Sequence, residues 1–187
     1  MFYLARLQTE CTWIYFYSFL IPGQLNVIFT AKQLNFALVG PNSTGKSTIF
    51  KRVVFNEQTD GPTIGVQIGS RSFNVDGQIF NLQIWDFGGI DYKIGSEYLK
   101  KADCCMITYH KNSDHDLLNR IISNIRALNA NMFFIALCVT KGSQIETDLN
   151  LGIPIININI EELDTYDLTF HNAITKCVSN KTLDLLQ

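Results

Sequence analysis

From residue 33 onward, apolar runs alternate with amphipathic segments whose apolar residues recur every three or four positions. The runs predict strands over 33–39, 65–75, 78–85, 103–109, 132–138 and 153–159. The spaced segments predict helices over 46–56, 115–129 and 164–180, with a short one near 91–100. In 115-HDLLNRIISNIRAL-128 the spacing puts Leu117, Leu118, Ile121, Ile122, Ile125 and Leu128 on one helical stripe. The run 132-MFFIALCV-139 has no polar alternation, as expected of a strand covered on both faces. Asp76-Gly77 is a two-residue hairpin signal, so the second strand should lie antiparallel to the third at one edge. The remaining units read as strand–helix–strand crossovers of the right-handed kind. The expected architecture is a three-layer α/β domain over 33–180, preceded by an extension over 1–32 and followed by a short tail over 181–187.

The extension departs from this rhythm. Its run 13-WIYFYSFLI-21 is apolar and aromatic, but too short to span a bilayer and broken by Pro22-Gly23. No small-residue cleavage pattern makes it a secretory leader. It reads as an element packed on the domain or a poorly defined extension, with a membrane-interfacial segment as the alternative.

Composition narrows the chemistry. The 187 residues are 47% hydrophobic and carry a net charge of -2, enough for one core and no electrostatic footprint for nucleic acid. Lys51-Arg52 and Lys100-Lys101 are short basic pairs of a solvated face. The cysteines, Cys11, Cys104, Cys105, Cys138 and Cys177, are odd in number and never spaced C-x-x-C. They read as reduced core thiols. His110, His115 and His171 show no metal-ligand spacing with them, so neither residue type is expected to hold a metal.

The chemistry concentrates in 40-GPNSTGKSTIF-50, which fits G-x-x-x-x-G-K-[ST] between a strand and a helix. Gly40 and Gly45 let the backbone curl. The curl turns the N–H groups of Asn42, Ser43, Thr44, Gly45, Lys46, Ser47 and Thr48 toward a polyphosphate at the positive end of the helix. Lys46 adds a point charge, and the Ser47 hydroxyl is placed to ligate Mg²⁺.

With 62-PTIGV-66, 82-LQIWDFGG-89 and 98-YLKKAD-103 following in order, the chain resembles the Ras superfamily of small GTPases, most closely its Rab branch. The resemblance covers roughly residues 33–180 and implies a Ras-like G domain binding GTP or GDP with Mg²⁺. It implies that Thr63 ligates the metal, that Asp86 holds it through a water, and that Gly89 reaches the outer phosphate. It implies effector and regulator proteins docking on the loops around Thr63 and Asp86, and a cytoplasmic protein peripheral on endomembranes.

The chain departs from that family in several places. Ile90 stands where relatives carry the water-orienting glutamine, and an isoleucine cannot position water. Asn42 stands where relatives carry a smaller residue, and could hinder an arginine finger. Slow hydrolysis of GTP is the expectation. In 140-TKGS-143, Thr140 and Lys141 keep the base-contacting pattern. Ser143 replaces the aspartate that accepts from guanine, so discrimination against adenine should fall. The family's S-A-K element appears only as 159-NIE-161, and the terminal 181-KTLDLLQ-187 has no prenyl cysteine. Membrane contact is therefore expected to be indirect or through the N-terminal segment. The second expectation is a degenerate G domain that serves as an interaction module with weak or promiscuous nucleotide binding. An ATP-using phosphotransferase would need an arginine-rich lid, and the pair 62-PTIGV-66 and 85-WDFGG-89 argues against it.

Overall fold

The computed structural model describes residues 6–9, 12–15, 31–57, 63–88, 95–142 and 150–184. Within the extension, β1 (Arg6–Thr9) and β2 (Thr12–Tyr15) pair antiparallel as a separate two-stranded sheet. The rest of the apolar run, from residue 16 on, lies outside the described residues.

The domain is built on β3 (Lys32–Val39), β4 (Val66–Val75), β5 (Gln78–Phe87), β6 (Cys104–Tyr109), β7 (Phe133–Thr140) and β8 (Ile155–Asn159). They form one sheet in the order β4-β5-β3-β6-β7-β8. Only the β4–β5 pair is antiparallel; the β3–β5, β3–β6, β6–β7 and β7–β8 pairs are parallel. This is the three-layer α/β arrangement with one antiparallel edge strand that the apolar runs imply. The β4–β5 turn is Asp76-Gly77, both at positive φ (51° and 83°), which matches the twist of the hairpin and sets Val75 opposite Gln78.

Among the described residues, four helices cover the sheet: α1 (Lys46–Phe55), α2 (Ser96–Leu99), α3 (His115–Leu128) and α4 (Asp164–Asp184). Alternate strand residues face opposite layers, so two cores form. On one side Phe36, Leu38, Ile84, Met106 and Leu137 meet Ile49, Phe50 and Val53 of α1 and Tyr166, Phe170 and Ile174 of α4. On the other, Ala37, Val39, Trp85, Ile107 and Ala136 meet Leu99 of α2 and Leu118, Ile121, Ile122 and Ile125 of α3. Leu128, at the end of the α3 stripe, stays partly exposed. The Asp114 carboxylate caps α3 by accepting from the N–H groups of Asp116 and Leu117.

α2 lies within the short segment expected near 91–100, and α4 runs past its expected end. The described part of α2 is a single turn, and 91–94 lie outside the described residues. α4 continues to Asp184 instead of stopping at 180, because Lys181 reaches Asp103 at the start of β6. The same Asp103 carboxylate accepts the Asn35 N–H at 2.7 Å, so one side chain joins β3, β6 and α4. Cys104, Cys105, Cys138 and Cys177 are buried free thiols, and burial pushes the Cys105 thiol far up from its ordinary range. Cys11 lies outside the described residues.

Candidate functional site

The C-terminal ends of β3, β5, β6 and β7 converge on a cavity of about 770 Å³. It is lined by Asn42, Ser43, Thr44, Gly45, Lys46, Ser47, Thr48, Thr63, Phe87, Gly88, His110, Lys141 and Ile160. All seven expected loop residues from Asn42 to Thr48 are in that lining.

The loop's shape follows from three residues. Gly40 has φ 150°, and a Cβ there would lie 2.3 Å from the Thr108 carbonyl oxygen, so β6 can lie this close only to glycine. Gly45 has φ 84° and opens α1 without a side-chain cap, so its first turn presents N–H groups to the cavity. Thr44 points its hydroxyl inward: it donates to the Pro41 carbonyl at 2.8 Å and meets the Thr108 hydroxyl at 2.7 Å. What Thr44 can offer an anion is therefore its main chain. The Lys46 ammonium arches over the loop and donates to the carbonyls of Gly40 (3.0 Å) and Pro41 (2.7 Å). Burial lowers the proton affinity of Lys46, and the Asp86 carboxylate partly opposes that.

The three residues expected at the metal come together although they are distant in the chain. The Ser47 and Thr63 hydroxyls are 2.6 Å apart, and Thr63 donates to Asp86 Oδ2 at 2.9 Å. Asp86 is fully buried, and its Oδ1 has no hydrogen-bond partner among the described residues. A buried carboxylate oxygen without a donor is costly unless something positive or polar meets it. The segment carrying Thr63 is held against the end of β5, where Gly88 N–H donates to the Gly65 carbonyl at 2.8 Å. A Cβ on Gly88 would fall 2.0 Å from the Thr63 carbonyl oxygen, so the two loops can cross only at a glycine.

On the base side, Lys141 and Ile160 line the cavity, while the expected base-contacting Thr140 is not among the lining residues and donates to the Ile158 carbonyl at 3.3 Å. Asn159 ties this region together, donating to the Gly142 carbonyl (3.2 Å) and to the Glu162 carboxylate (2.7 Å). Gly89, Ile90 and Ser143 lie outside the described residues. Phe87, Gly88 and Ile160 line the cavity without a role in the sequence reading, and so does His110. It follows β6 directly, and its ring nitrogens face the Val139 and Ser43 carbonyls, each at 3.0 Å.

A loop of this shape between β3 and α1, on a sheet of this strand order, defines a Ras-like G domain of the P-loop class. Residues 35–143 match the family described as "Ras of Complex, Roc, domain of DAPkinase", and the chain belongs to that family. It is similar to Rab proteins as well. It is 35% identical to the Ras-related protein Rab-9B of Homo sapiens over 80 residues, 41% of this chain and 40% of the relative. To Rab-4B of Homo sapiens it is 30% identical over 112 residues, 57% of this chain and 53% of the relative. To Rab-2B of Dictyostelium discoideum it is 32% identical over 102 residues, 51% of this chain and 50% of the relative. The chain thus spans about half the length, or less, of these curated relatives.

Proposed function

We propose that this chain binds a guanine nucleotide together with Mg²⁺ as a two-state switch, hydrolyses GTP slowly, and acts in membrane traffic through effector and regulator proteins. The observation that carries the reading is the meeting of Ser47, Thr63 and Asp86 at the mouth of the phosphate loop. These residues fit a hard divalent cation: two hydroxyl oxygens and a buried carboxylate oxygen without a donor. Ser47 and Thr63 would ligate it, with Asp86 holding it through a water. When bound, the cation would supply positive charge beside the phosphates. Loop N–H groups would cradle the inner phosphates, Lys46 would reach the outer ones, and the N–H of Gly89 the outermost.

A third phosphate would be sensed through Thr63. Its loop meets Gly88 through the main chain and Ser47 and Asp86 through the Thr63 hydroxyl, so the loop can order around a ligand and release when the ligand shortens. Beside it Ile64 is 94% exposed, Ile68 44% and Tyr98 37%, an apolar surface suited to partner proteins. Slow turnover follows from Ile90 in the water-orienting position, with Asn42 crowding the approach of an arginine finger. Among the described residues no helix is long and apolar enough to cross a membrane. A cytoplasmic protein reaching endomembranes through partners or its aromatic N-terminal segment accords with this reading.

One observation favours a second reading, a G domain kept as an interaction module with weak or promiscuous nucleotide binding. Among the described residues lining the cavity there is no carboxylate to accept from guanine N1 and N2. Equilibrium titration with fluorescent GTP and ATP analogues, with Mg²⁺ and with chelator, separates the two. The switch reading predicts Mg²⁺-dependent binding with GTP preferred, though less strongly than in a protein with the base-reading aspartate. Equal affinity for GTP and ATP supports the module. Binding of neither overturns the switch.

A further inference from the structure

Guanine offers two adjacent donors, N1–H and the N2 amine, where adenine offers a lone pair and a C–H. A site that selects guanine therefore needs an acceptor at that edge. Lys141 and Ile160 line the base end of the cavity, and residue 143 is a serine. A carboxylate is nevertheless tied to the same loop. Asn159, the last residue of β8, donates from Nδ2 to the Gly142 carbonyl at 3.2 Å and to Glu162 Oε1 at 2.7 Å. One amide group thus joins the residue before Ser143 to the Glu162 side chain.

The turn that carries Glu162 is fixed by its own hydrogen bonds. Ile160 N–H donates to the Thr140 carbonyl at 3.1 Å, and Glu162 N–H to the Asn159 carbonyl at 3.2 Å. Asn159 Oδ1 accepts from Glu161 N–H at 3.1 Å. The Thr165 hydroxyl meets the carbonyls of Asn159 and Glu162, each at 2.7 Å, and the Tyr166 hydroxyl donates to the Ile160 carbonyl at 2.8 Å. A side chain on so constrained a turn starts from a defined place. Glu162 is exposed, beside the lining and not part of it. Its stem is one methylene longer than that of an aspartate, so it can reach a purine edge from a residue set further back. Asn159 uses one oxygen, and a carboxylate has about four acceptor positions, which leaves capacity for N1–H and N2–H together.

We propose that Glu162, oriented by Asn159 as a positioning residue, is the carboxylate that accepts from guanine N1 and N2 in place of the absent aspartate. The inference rests on the nucleotide-binding reading above and names the specificity residue of that site. Adenine would set its N1 lone pair against Glu162, and hypoxanthine would offer N1–H alone. The expected order of affinity is guanine, hypoxanthine, adenine.

Competition titration of the full chain with guanosine, inosine and adenosine diphosphates and Mg²⁺, against a fluorescent GDP analogue, tests this. In the wild type, guanosine diphosphate is expected to bind roughly tenfold or more tighter than adenosine diphosphate, with inosine diphosphate between them. In Glu162→Gln and Glu162→Ala that ratio should fall toward one through loss of guanosine affinity, with adenosine affinity unmoved. Asn159→Ala should shift the ratio the same way; equal losses for both bases would overturn the role of Asn159. Glu161→Gln removes the neighbouring charge and should leave the ratio intact. An unchanged ratio in the Glu162 variants, or an equal fall in Glu161→Gln, would overturn the inference. Should the Glu162 variants fail to fold, a crystal structure of the wild type with GDP decides. Glu162 within hydrogen-bonding distance of N1 and N2 supports the assignment, and a carboxylate turned away overturns it. Equal affinity of the wild type for all three nucleotides overturns this inference while phosphate binding stands, whereas binding of none removes the nucleotide-binding reading itself.

Discussion

Single side chains would carry the proposed chemistry, and most residues of the candidate site were legible in the sequence. The loop 40–47 has a spacing suited to anion binding between a strand and a helix, and Thr63 and Asp86 were picked out because they follow it in order. Ser47→Ala should remove one arm of the cation site. A hydrogen bond or ligand contact to a charged group is worth about 2 kcal/mol, so Mg²⁺-dependent triphosphate affinity should drop roughly thirtyfold. Affinity measured in chelator should barely change; equal losses in both conditions would contradict the assignment. Ile90→Gln should restore a water-orienting group. By comparison with catalytic donors, worth about 2–4 kcal/mol, single-turnover GTP hydrolysis should rise roughly thirty- to a thousandfold. Unchanged turnover would show that Ile90 is not what limits the rate. His110 was missed for a physical reason. Its partners are main-chain carbonyls at positions 43 and 139, and main-chain atoms leave no mark in a residue pattern. The only signal was a histidine placed directly after a buried strand.

Elements were legible where burial imposes a period. β6 and β7 are covered on both faces and announce themselves as nearly continuous apolar runs. α3 shows its buried stripe at helical spacing. The extension was not legible in the same way. Its aromatic run suggested a packed helix or strand or a poorly defined extension, and its described part is the strand β2, whose partner β1, 6-RLQT-9, has too weak an alternation to mark a strand. The end of α4 was hidden too, because the Lys181–Asp103 pair joins residues far apart in sequence. That pair is partly exposed, so Lys181→Ala should cost only about 1 kcal/mol and lower Tm by roughly 2–4 °C. Hydrogen exchange should speed up in the last turns of α4 while β7 stays protected; global loss of protection would mean the pair does more than anchor a helix end. Gly40→Ala is expected to be far more damaging. Its Cβ would overlap the Thr108 carbonyl, and positive φ adds strain, for about 3 kcal/mol or more in total. A Gly40→Ala protein with native Tm would refute this account of how β6 shapes the loop.

At the scale of the whole molecule, the parallel strands bring their C-terminal ends to one rim, and the loops that leave them form the site. Hydrophobic burial in the two cores fixes the sheet, the sheet fixes the rim, and the rim brings residues 47, 63 and 86 within hydrogen-bonding reach. The most direct measurement is a crystal structure of the full chain grown with excess Mg²⁺ and a non-hydrolysable GTP analogue. The account predicts phosphates seated on the 42–48 main chain, and a cation bound by the Ser47 and Thr63 hydroxyls with a water between it and Asp86. A cavity holding neither nucleotide nor metal under those conditions, or a cation bound away from these three residues, would contradict it.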